Sequence, residues 1–477
     1  MINKFLLMKL TGLTLLCFVC HIAFTQNVQV KLSNAVKQLE TDVQFKHAIL
    51  SLYVVDTKTG KVIFDKNSQV GLSPSSCQKV VTSVSAFEML GKSYTYKTEM
   101  AFEGFLRDSI IIGDLYFMVS GDPTLGSWRW SETKEEKVKQ KILAALKYNS
   151  VTRITGDLVI DDLKWESQAT PNGWVWEDIG NYYGAGARGF NWHENQYDLI
   201  LKPGKRTGDS VQIISTNPPL QVLSLVNELK TGKEESGDQS VIYLPENGLI
   251  GYVRGSVPQG KNTFTVSGSL PNPDTSFLMV MKDVFDKSGI RFSGRSRKAT
   301  PVFRSRESVN SPIGNVLLSI DSPRLDSINY WFLKKSVNLY GEAFVKTIAC
   351  EKTKFGSTDT GINIIKNFWK ERGIEKSALN IIDGSGLSPA NRVTANALVT
   401  VMQYARQQNW FPSFYYALPE TNGIKMKDGY ISGVRSYTGY VKSKAGTEYT
   451  FSFIVNNFDD NPGTVREKMW KLLDILK

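Results

Sequence analysis

The chain has 477 residues, 41% of them hydrophobic and 22% charged, with 57 Lys and Arg against 46 Asp and Glu for a net charge of +11. This composition excludes a disordered or fibrous chain and leaves room for two or three domains, while the dispersed charge carries no polybasic tract or nucleic-acid motif. With only three histidines and four cysteines, a multi-histidine zinc site, a Ser-His-Asp triad and a disulfide framework are all disfavoured.

Residues 1–25 read as a secretory signal. Lys4 and Lys9 give a basic start, residues 10–23 are mostly apolar, and Ala23-Phe24-Thr25 offers small residues for a cut before Gln26. The apolar core is short for a membrane span of about 20 residues, which favours cleavage over a retained anchor. Neither Cys17 nor Cys20 is preceded by the small residues of a lipoprotein signal, and no later stretch is long and apolar enough to span a membrane. Cleavage removes Cys17, Cys20 and His21, leaving Cys77, Cys350, His47 and His193. Both remaining cysteines fall in predicted helices. The sequence does not decide between two buried thiols and one bridge.

Residues 33–40 predict a short helix. Residues 48–56 and 61–65 predict a hairpin turned by Thr57-Lys58-Thr59-Gly60. Leu72-Ser73-Pro74-Ser75 reads as a loop and N-cap. In the helix after it, Val80, Val81, Val84, Phe87 and Leu90 make an apolar face, and Gly91 is the stop. Ser76 opens this helix near its positive dipole end, and Lys79 stands one turn on. In a cleft, the lysine amine can take the serine proton, which is nucleophile activation without histidine. The spacing is weak by itself: Ser131 and Lys134 repeat it in a charged run that reads as a solvated helix surface.

From 99 to 270 the texture changes. Short alternating stretches at 110–119, 156–160 and 197–202 lie between Gly, Pro and Asn turns, with Trp128, Trp130, Trp165, Trp174, Trp176 and Trp192 among them. Helices return after Pro271, at 275–288, 318–335, 339–350 and 394–407. Strands at 434–443 and 449–456 are joined by Lys444-Ala445-Gly446-Thr447. Thr464 and Glu467 read as the capping box of a final helix bearing Met469, Leu472, Leu473 and Leu476. The expected fold is α/β, an antiparallel sheet flanked by helices. Residues 26–98 and 271–477 form its two parts, and residues 99–270 are a large, mainly β insertion.

Ser-x-x-Lys belongs to a trio with Ser-x-Asn and Lys-Thr-Gly, in that chain order. The second serine relays a proton, the asparagine holds substrate, and the third motif supplies positive charge and a backbone N–H for an oxyanion hole. Literal matches mislead. Lys58-Thr59-Gly60 precedes Ser76 in a turn, and Lys230-Thr231-Gly232 lies in the insertion. Ser308-Val309-Asn310 has no helix to fix it, whereas Ser336-Val337-Asn338 lies between two amphipathic helices.

Residues 329–342, Asn-Tyr-Trp-Phe-Leu-Lys-Lys-Ser-Val-Asn-Leu-Tyr-Gly-Glu, resemble the Ser-x-Asn region of the class C low-molecular-mass penicillin-binding proteins, the D-Ala-D-Ala carboxypeptidases/endopeptidases. Residues 72–82, 120–125, 173–195, 383–388 and 433–456 carry the same resemblance, in order and over nearly the whole mature chain. It implies a penicillin-binding transpeptidase-like (serine β-lactamase-like) domain, with Ser76 acylated, Lys79 its base, and Ser336 and Asn338 completing the relay. The third motif then falls on Lys427-Asp428-Gly429-Tyr430, with Lys427 as the cation and the Tyr430 N–H joining that of Ser76 in the oxyanion hole. Asp178 matches the acidic residue of the inserted domain that faces the diamino acid of the stem peptide.

The implied protein is a periplasmic serine DD-peptidase. It acts on peptidoglycan stem peptides, is acylated by β-lactams, needs no metal or organic cofactor, binds no nucleic acid, and leaves a homodimer open. The chain departs from the family at Asp428, which replaces a threonine and puts recognition of a terminal carboxylate in doubt. That departure motivates a rival reading, a weakly active penicillin-binding fold kept as a peptidoglycan-binding scaffold. A β-lactamase is disfavoured because no Glu-x-x-x-Asn segment stands out between the first two motifs. A generic esterase would share the acyl-enzyme chemistry.

Overall fold

The computed structural model describes residues 28–220, 224–245, 248, 250–299 and 314–477. The proposed signal and Ser308-Val309-Asn310 lie outside them. The described residues form two compact units. One takes those up to Val81 with Trp369–Ile381 and Asn391–Lys477; the other takes Thr82–Phe368 and Ile382–Ala390.

The first unit is built on a six-stranded sheet, antiparallel throughout. Its order is Val62–Lys66, Ile49–Asp56, Glu448–Asn456, Val434–Lys442, Ile424–Ile431 and the two-residue edge Glu420–Thr421. The hairpins turn where glycine permits a left-handed backbone, at Gly433 (φ +69°) and Gly446 (φ +87°). Because side chains alternate across a strand, the sheet has two distinct faces. One is apolar: Leu50, Leu52, Val54, Phe451, Phe453 and Val455 pack on Leu32, Val36 and Leu39 of the helix over 28–40 and on Val465, Met469 and Leu472 of the C-terminal helix Pro462–Leu473. The other buries small hydroxyls, with Ser51, Ser436, Thr438, Thr450 and Ser452 all fully enclosed. Thr438 and Ser452 bond each other at 3.0 Å. On this second face lie the helix Ala395–Arg406, capped by Thr394, and the turn that carries Ser76.

The second unit contains a five-stranded sheet in the order Ser296–Lys298, Leu158–Asp161, Leu115–Met118, Lys97–Phe102, Asn315–Asp321. Its core gathers Met100, Phe117, Leu158 and Ile160 with Val138 and Ile142 of the helix Glu135–Tyr148 and Phe277, Met281 and Phe285 of the helix Pro273–Lys287. A further β region, with strands Gln196–Lys202 and Ile250–Pro258, has its own core around Leu199, Leu201, Ile242 and Val253.

Several elements differ from the sequence reading. The stretch 318–335 is a strand, Asn315–Asp321, followed by a helix, Leu325–Lys334, because Pro323 breaks the run and its predecessors pair with Lys97–Phe102. A 14-residue helix, Glu135–Tyr148, stands inside the stretch read as mainly β. The final helix is capped by Asn461, whose side chain accepts from Gly463 N–H with Pro462 in the first turn, rather than by Thr464 and Glu467. The first helix runs from 28 rather than 33. Both cysteines are free thiols, Cys77 buried and Cys350 half-buried.

Phe453, fully enclosed on the apolar face, tests this packing. Phe453→Ala should cost about 3–5 kcal/mol in urea unfolding, whereas Val62→Ala, at a site 47% exposed, should stay within about 1 kcal/mol of the parent.

Candidate active site

Ser76 lies in a single 3₁₀ turn, Ser75–Gln78, and the α-helix Lys79–Met89 begins only after it. The sequence reading placed Ser76 inside that helix. Pro74 and a left-handed Ser75 (φ +43°) tighten the entry, and Cys77 N–H bonds Pro74 O at 3.2 Å. The tighter turn has a chemical consequence. With three residues per turn, positions i and i+3 eclipse, so Ser76 and Lys79 stand directly one above the other. Lys79 is fully enclosed, Ser76 is half-buried, and Lys79 Nζ donates to Ser76 Oγ at 2.9 Å. With the amine neutral, the same contact can take the hydroxyl proton.

The hydroxyl-lined sheet face seats this turn. Ser436 Oγ donates to Pro74 O at 2.6 Å and shares a 3.1 Å hydrogen bond with Ser75 Oγ. Gly429 pairs with Ser436 across the ladder. A Cβ on Gly429 would lie 2.1 Å from Ser75 Oγ and 2.9 Å from Ser76 N, so only glycine lets the strand come this close. Cys77 Sγ donates to Lys427 O at 3.1 Å, and burial pushes its thiol up to about 11, which keeps it a donor.

Among the described residues, the outer side of the strand Ile424–Ile431 pairs only with the two-residue strand Glu420–Thr421, through Lys425 and Ile424. Met426 N–H bonds Pro419 O on that outer side. Strand N–H groups alternate sides, so those of Asp428 and Tyr430 face the same open edge. The Tyr430 N–H is therefore available at the edge, one residue from the glycine that touches Ser76.

Lys427 is buried, and its ammonium donates to Asp428 O at 2.7 Å and Asp428 Oδ1 at 2.9 Å. The Lys427 charge beside it holds the Asp428 carboxyl below the usual range, and Arg435 acts in the same direction. Arg435 lies over the Tyr430 ring, 4.7 Å from its centroid.

Ser336, Asn338 and Asp178 belong to the second unit. Ser336 adopts a left-handed backbone (φ +56°) in the break between helices Leu325–Lys334 and Asn338–Thr353. Asn338 Nδ2 donates to Tyr183 O at 2.7 Å. The turn 383–388 is tied by Asp383, whose carboxylate accepts from Gly386 N–H, Ser388 N–H and Trp174 Nε1 within 2.9 Å. Asp178 is half-buried in the short helix Trp176–Ile179. Burial, followed by the charge of Glu177, pushes its carboxyl up to about 6 against a hydrogen bond from Tyr183.

Sequence reasoning missed one buried group. Glu194 is fully enclosed and accepts from Ser127 Oγ at 2.6 Å, Arg129 Nε at 2.8 Å, Arg129 Nη2 at 3.2 Å and Tyr340 OH at 2.6 Å. Tyr340 is two residues beyond Asn338, so this pair fixes the start of the Asn338–Thr353 helix. The only sequence signal was an acidic residue in a stretch, 173–195, otherwise rich in aromatics and glycine. Among the described residues no cluster of three or more His, Cys, Asp or Glu side chains is arranged to hold a metal, and no helix is long and apolar enough to cross a membrane.

Residues 32–475 match the sequence model of the D-Ala-D-Ala carboxypeptidase 3 (S13) family. The chain is 26% identical over 455 residues to a D-alanyl-D-alanine carboxypeptidase of Actinomadura sp. (strain R39), covering 88% of this chain and 80% of that one. It is 23% identical over 418 residues to the D-alanyl-D-alanine carboxypeptidase DacB of Haemophilus influenzae, covering 83% of each. The crystal structure of penicillin binding protein 4 (dacB) from Haemophilus influenzae superposes with a TM-score of 0.75 at 20% identity, over 89% of this chain and 94% of that one. A second structure of that protein, complexed with a β-lactam, gives 0.73 at 19% identity, over 94% of this chain and 99% of that one. The fold is thus the penicillin-binding one.

Gly429 offers a sharp test of the seat. Gly429→Ala should displace the Ser76 turn and slow covalent labelling by a fluorescent penicillin about 100-fold, the scale of a 1 Å misplacement, while the far-ultraviolet circular dichroism spectrum is unchanged.

Proposed function

We propose, on the premise that this chain belongs to the D-Ala-D-Ala carboxypeptidase 3 (S13) family, that its serine peptidase chemistry runs through Ser76. The enzyme is a serine-type D-Ala-D-Ala carboxypeptidase of the penicillin-binding class. The observation that carries the assignment is the 2.9 Å contact from Lys79 Nζ to Ser76 Oγ, in a turn packed on the Gly429 strand.

Ser76 Oγ attacks the carbonyl of the D-Ala peptide bond in a peptidoglycan stem peptide, and its proton passes to the Lys79 amine. The N–H groups of Ser76 and Tyr430 hold the developing oxyanion. The C–N bond then breaks, and the amine departs with a proton relayed through Ser336, which Asn338 accompanies. Water hydrolyses the acyl ester, releasing the shortened peptide and restoring Ser76. Lys427 is the cation of the third motif, its ammonium paired with Asp428, and Asp178 faces the diamino acid of the stem. The amine released is D-Ala from a stem end or a diamino acid from a cross-link. β-Lactams acylate the same serine, consistent with the β-lactam complex of the Haemophilus influenzae relative. The basic, apolar residues 1–25 suit export to the periplasm.

Ser76→Ala should abolish both labelling by a fluorescent penicillin and release of D-Ala from a stem pentapeptide. Lys79→Met should slow acylation by about 10²–10⁴, the usual contribution of a general base. Wild-type labelling that persists in Ser76→Ala would overturn the assignment.

Asp178 gives a pH signature. Its carboxyl titrates at about 6, so it is charged at pH 7 and neutral at pH 5. KM for a peptide with a free diamino-acid amine should rise as pH falls through 6. The rise should be missing in Asp178→Asn and in wild type given the N-acetylated peptide.

A further inference from the structure

We propose that Asp428 turns the third-motif strand toward leaving groups without a free α-carboxylate, such as an amidated residue or the side-chain amine of a diamino acid in a cross-link, and against a terminal D-Ala. The proposal rests on Ser76 being the acylated nucleophile.

The Lys427 ammonium is enclosed, and its two hydrogen bonds go to the carbonyl and the carboxylate of the next residue. The charge that would receive a substrate carboxylate is therefore matched internally. A threonine at 428 would offer a hydroxyl donor, whereas an ionised aspartate only accepts. The Asp428 side chain keeps 46% of its surface exposed, so its carboxylate is open to solvent at this edge strand.

Position along the strand completes the case. Asp428 precedes Tyr430 by two residues, about 7 Å of strand. That is the span from a donor on the scissile carbonyl oxygen to a group contacting the α-carboxylate one residue further on, with a hydrogen bond at each end. An incoming carboxylate seated there would carry the same charge as Asp428, and like charges at such distances repel even when partly screened by solvent. A leaving group with a neutral amide or no carboxyl escapes that repulsion. Arg435 is a rival cation beside this edge, and it lies over the Tyr430 ring with its Nε buried and unpartnered.

The test uses the full chain and three substrates. These are an N-acyl-D-Ala-D-Ala peptide, its C-terminal amide, and N-acyl-D-Ala joined to the ε-amine of an Nα-acetyl-lysine amide. Wild type should show kcat/KM about 10-fold or more higher for the last two than for the free carboxylate. Asp428→Thr should invert the ratio, mainly through a 10- to 100-fold gain on the free carboxylate. Asp428→Asn, which keeps the shape and removes the charge, should move in the same direction if the threonine variant folds poorly. A wild-type preference for the free carboxylate that is lost in Arg435→Ala overturns the proposal and gives the role to Arg435. Ratios unchanged in both Asp428 variants also overturn it, while leaving the Ser76 assignment intact. No turnover of any substrate, with no labelling by a fluorescent penicillin after prolonged exposure, removes the Ser76 assignment and this proposal together.

Discussion

The seat of the Ser76 turn depends on one steric fact, that the strand backbone at Gly429 meets the one-turn helix where no Cβ fits. Gly429 faces Ser75 and the backbone of Ser76 at distances that no Cβ could occupy. The approach is held by hydrogen bonds rather than by apolar packing: Ser436 reaches Pro74 and Ser75, and the Cys77 thiol reaches Lys427 O. Two backbone donors, such as the Ser76 N–H and a strand-edge N–H, can serve one acceptor only when they lie this close. The left-handed Ser75 stores backbone strain at this spot, which its buried neighbours hold in place.

The second unit solves a different problem, aiming the helix that begins at Asn338. It does so with a buried charge. Glu194 would be costly to enclose alone, but four donors from Ser127, Arg129 and Tyr340 satisfy it. Burial and the neighbouring carboxylate push the Tyr340 phenol well above its usual range, so it remains a donor throughout the working pH. The cost extends to the backbone, since His193, Glu194 and Asn195 run left-handed in succession, with φ of 55°, 53° and 50°.

Much of this was legible in the sequence, and the misses have physical causes. Four strands of the first unit were legible because their faces alternate and Thr57-Lys58-Thr59-Gly60 and Lys444-Ala445-Gly446-Thr447 mark turns, whereas Ile424–Ile431 did not stand out as a strand by its pattern. Ser76 and Lys79 were singled out by spacing, chain order and scarce histidine, and Ser336-Val337-Asn338 by the helices on either side; the fold sets Lys79 Nζ 2.9 Å from Ser76 Oγ. The 3₁₀ turn was not legible, because the shift from α to 3₁₀ depends on Ser436, some 360 residues away in sequence. The strand Asn315–Asp321 was read as helix because its apolar residues also fit a helical period, and only pairing with Lys97–Phe102 decides the matter. Glu194 was invisible for a similar reason: an acidic residue announces nothing until its donors, from residues 127–129 and from Tyr340, are brought around it.

The hydroxyl-lined face of the first sheet also bears on how such an enzyme can be stabilised. Ser51, Thr450, Ser452, Thr438 and Ser436 occupy buried positions where valine or isoleucine would ordinarily remove more apolar surface from water. The apolar face opposite shows that the same strands accept such residues freely. One side of the sheet is a conventional core and the other is a reserved seat, smaller and more polar than stability alone would choose. Selection for heat resistance is therefore free to act on the first side and constrained on the second, where added methyl groups at Gly429 and Ser436 would compete with the turn that carries Ser76.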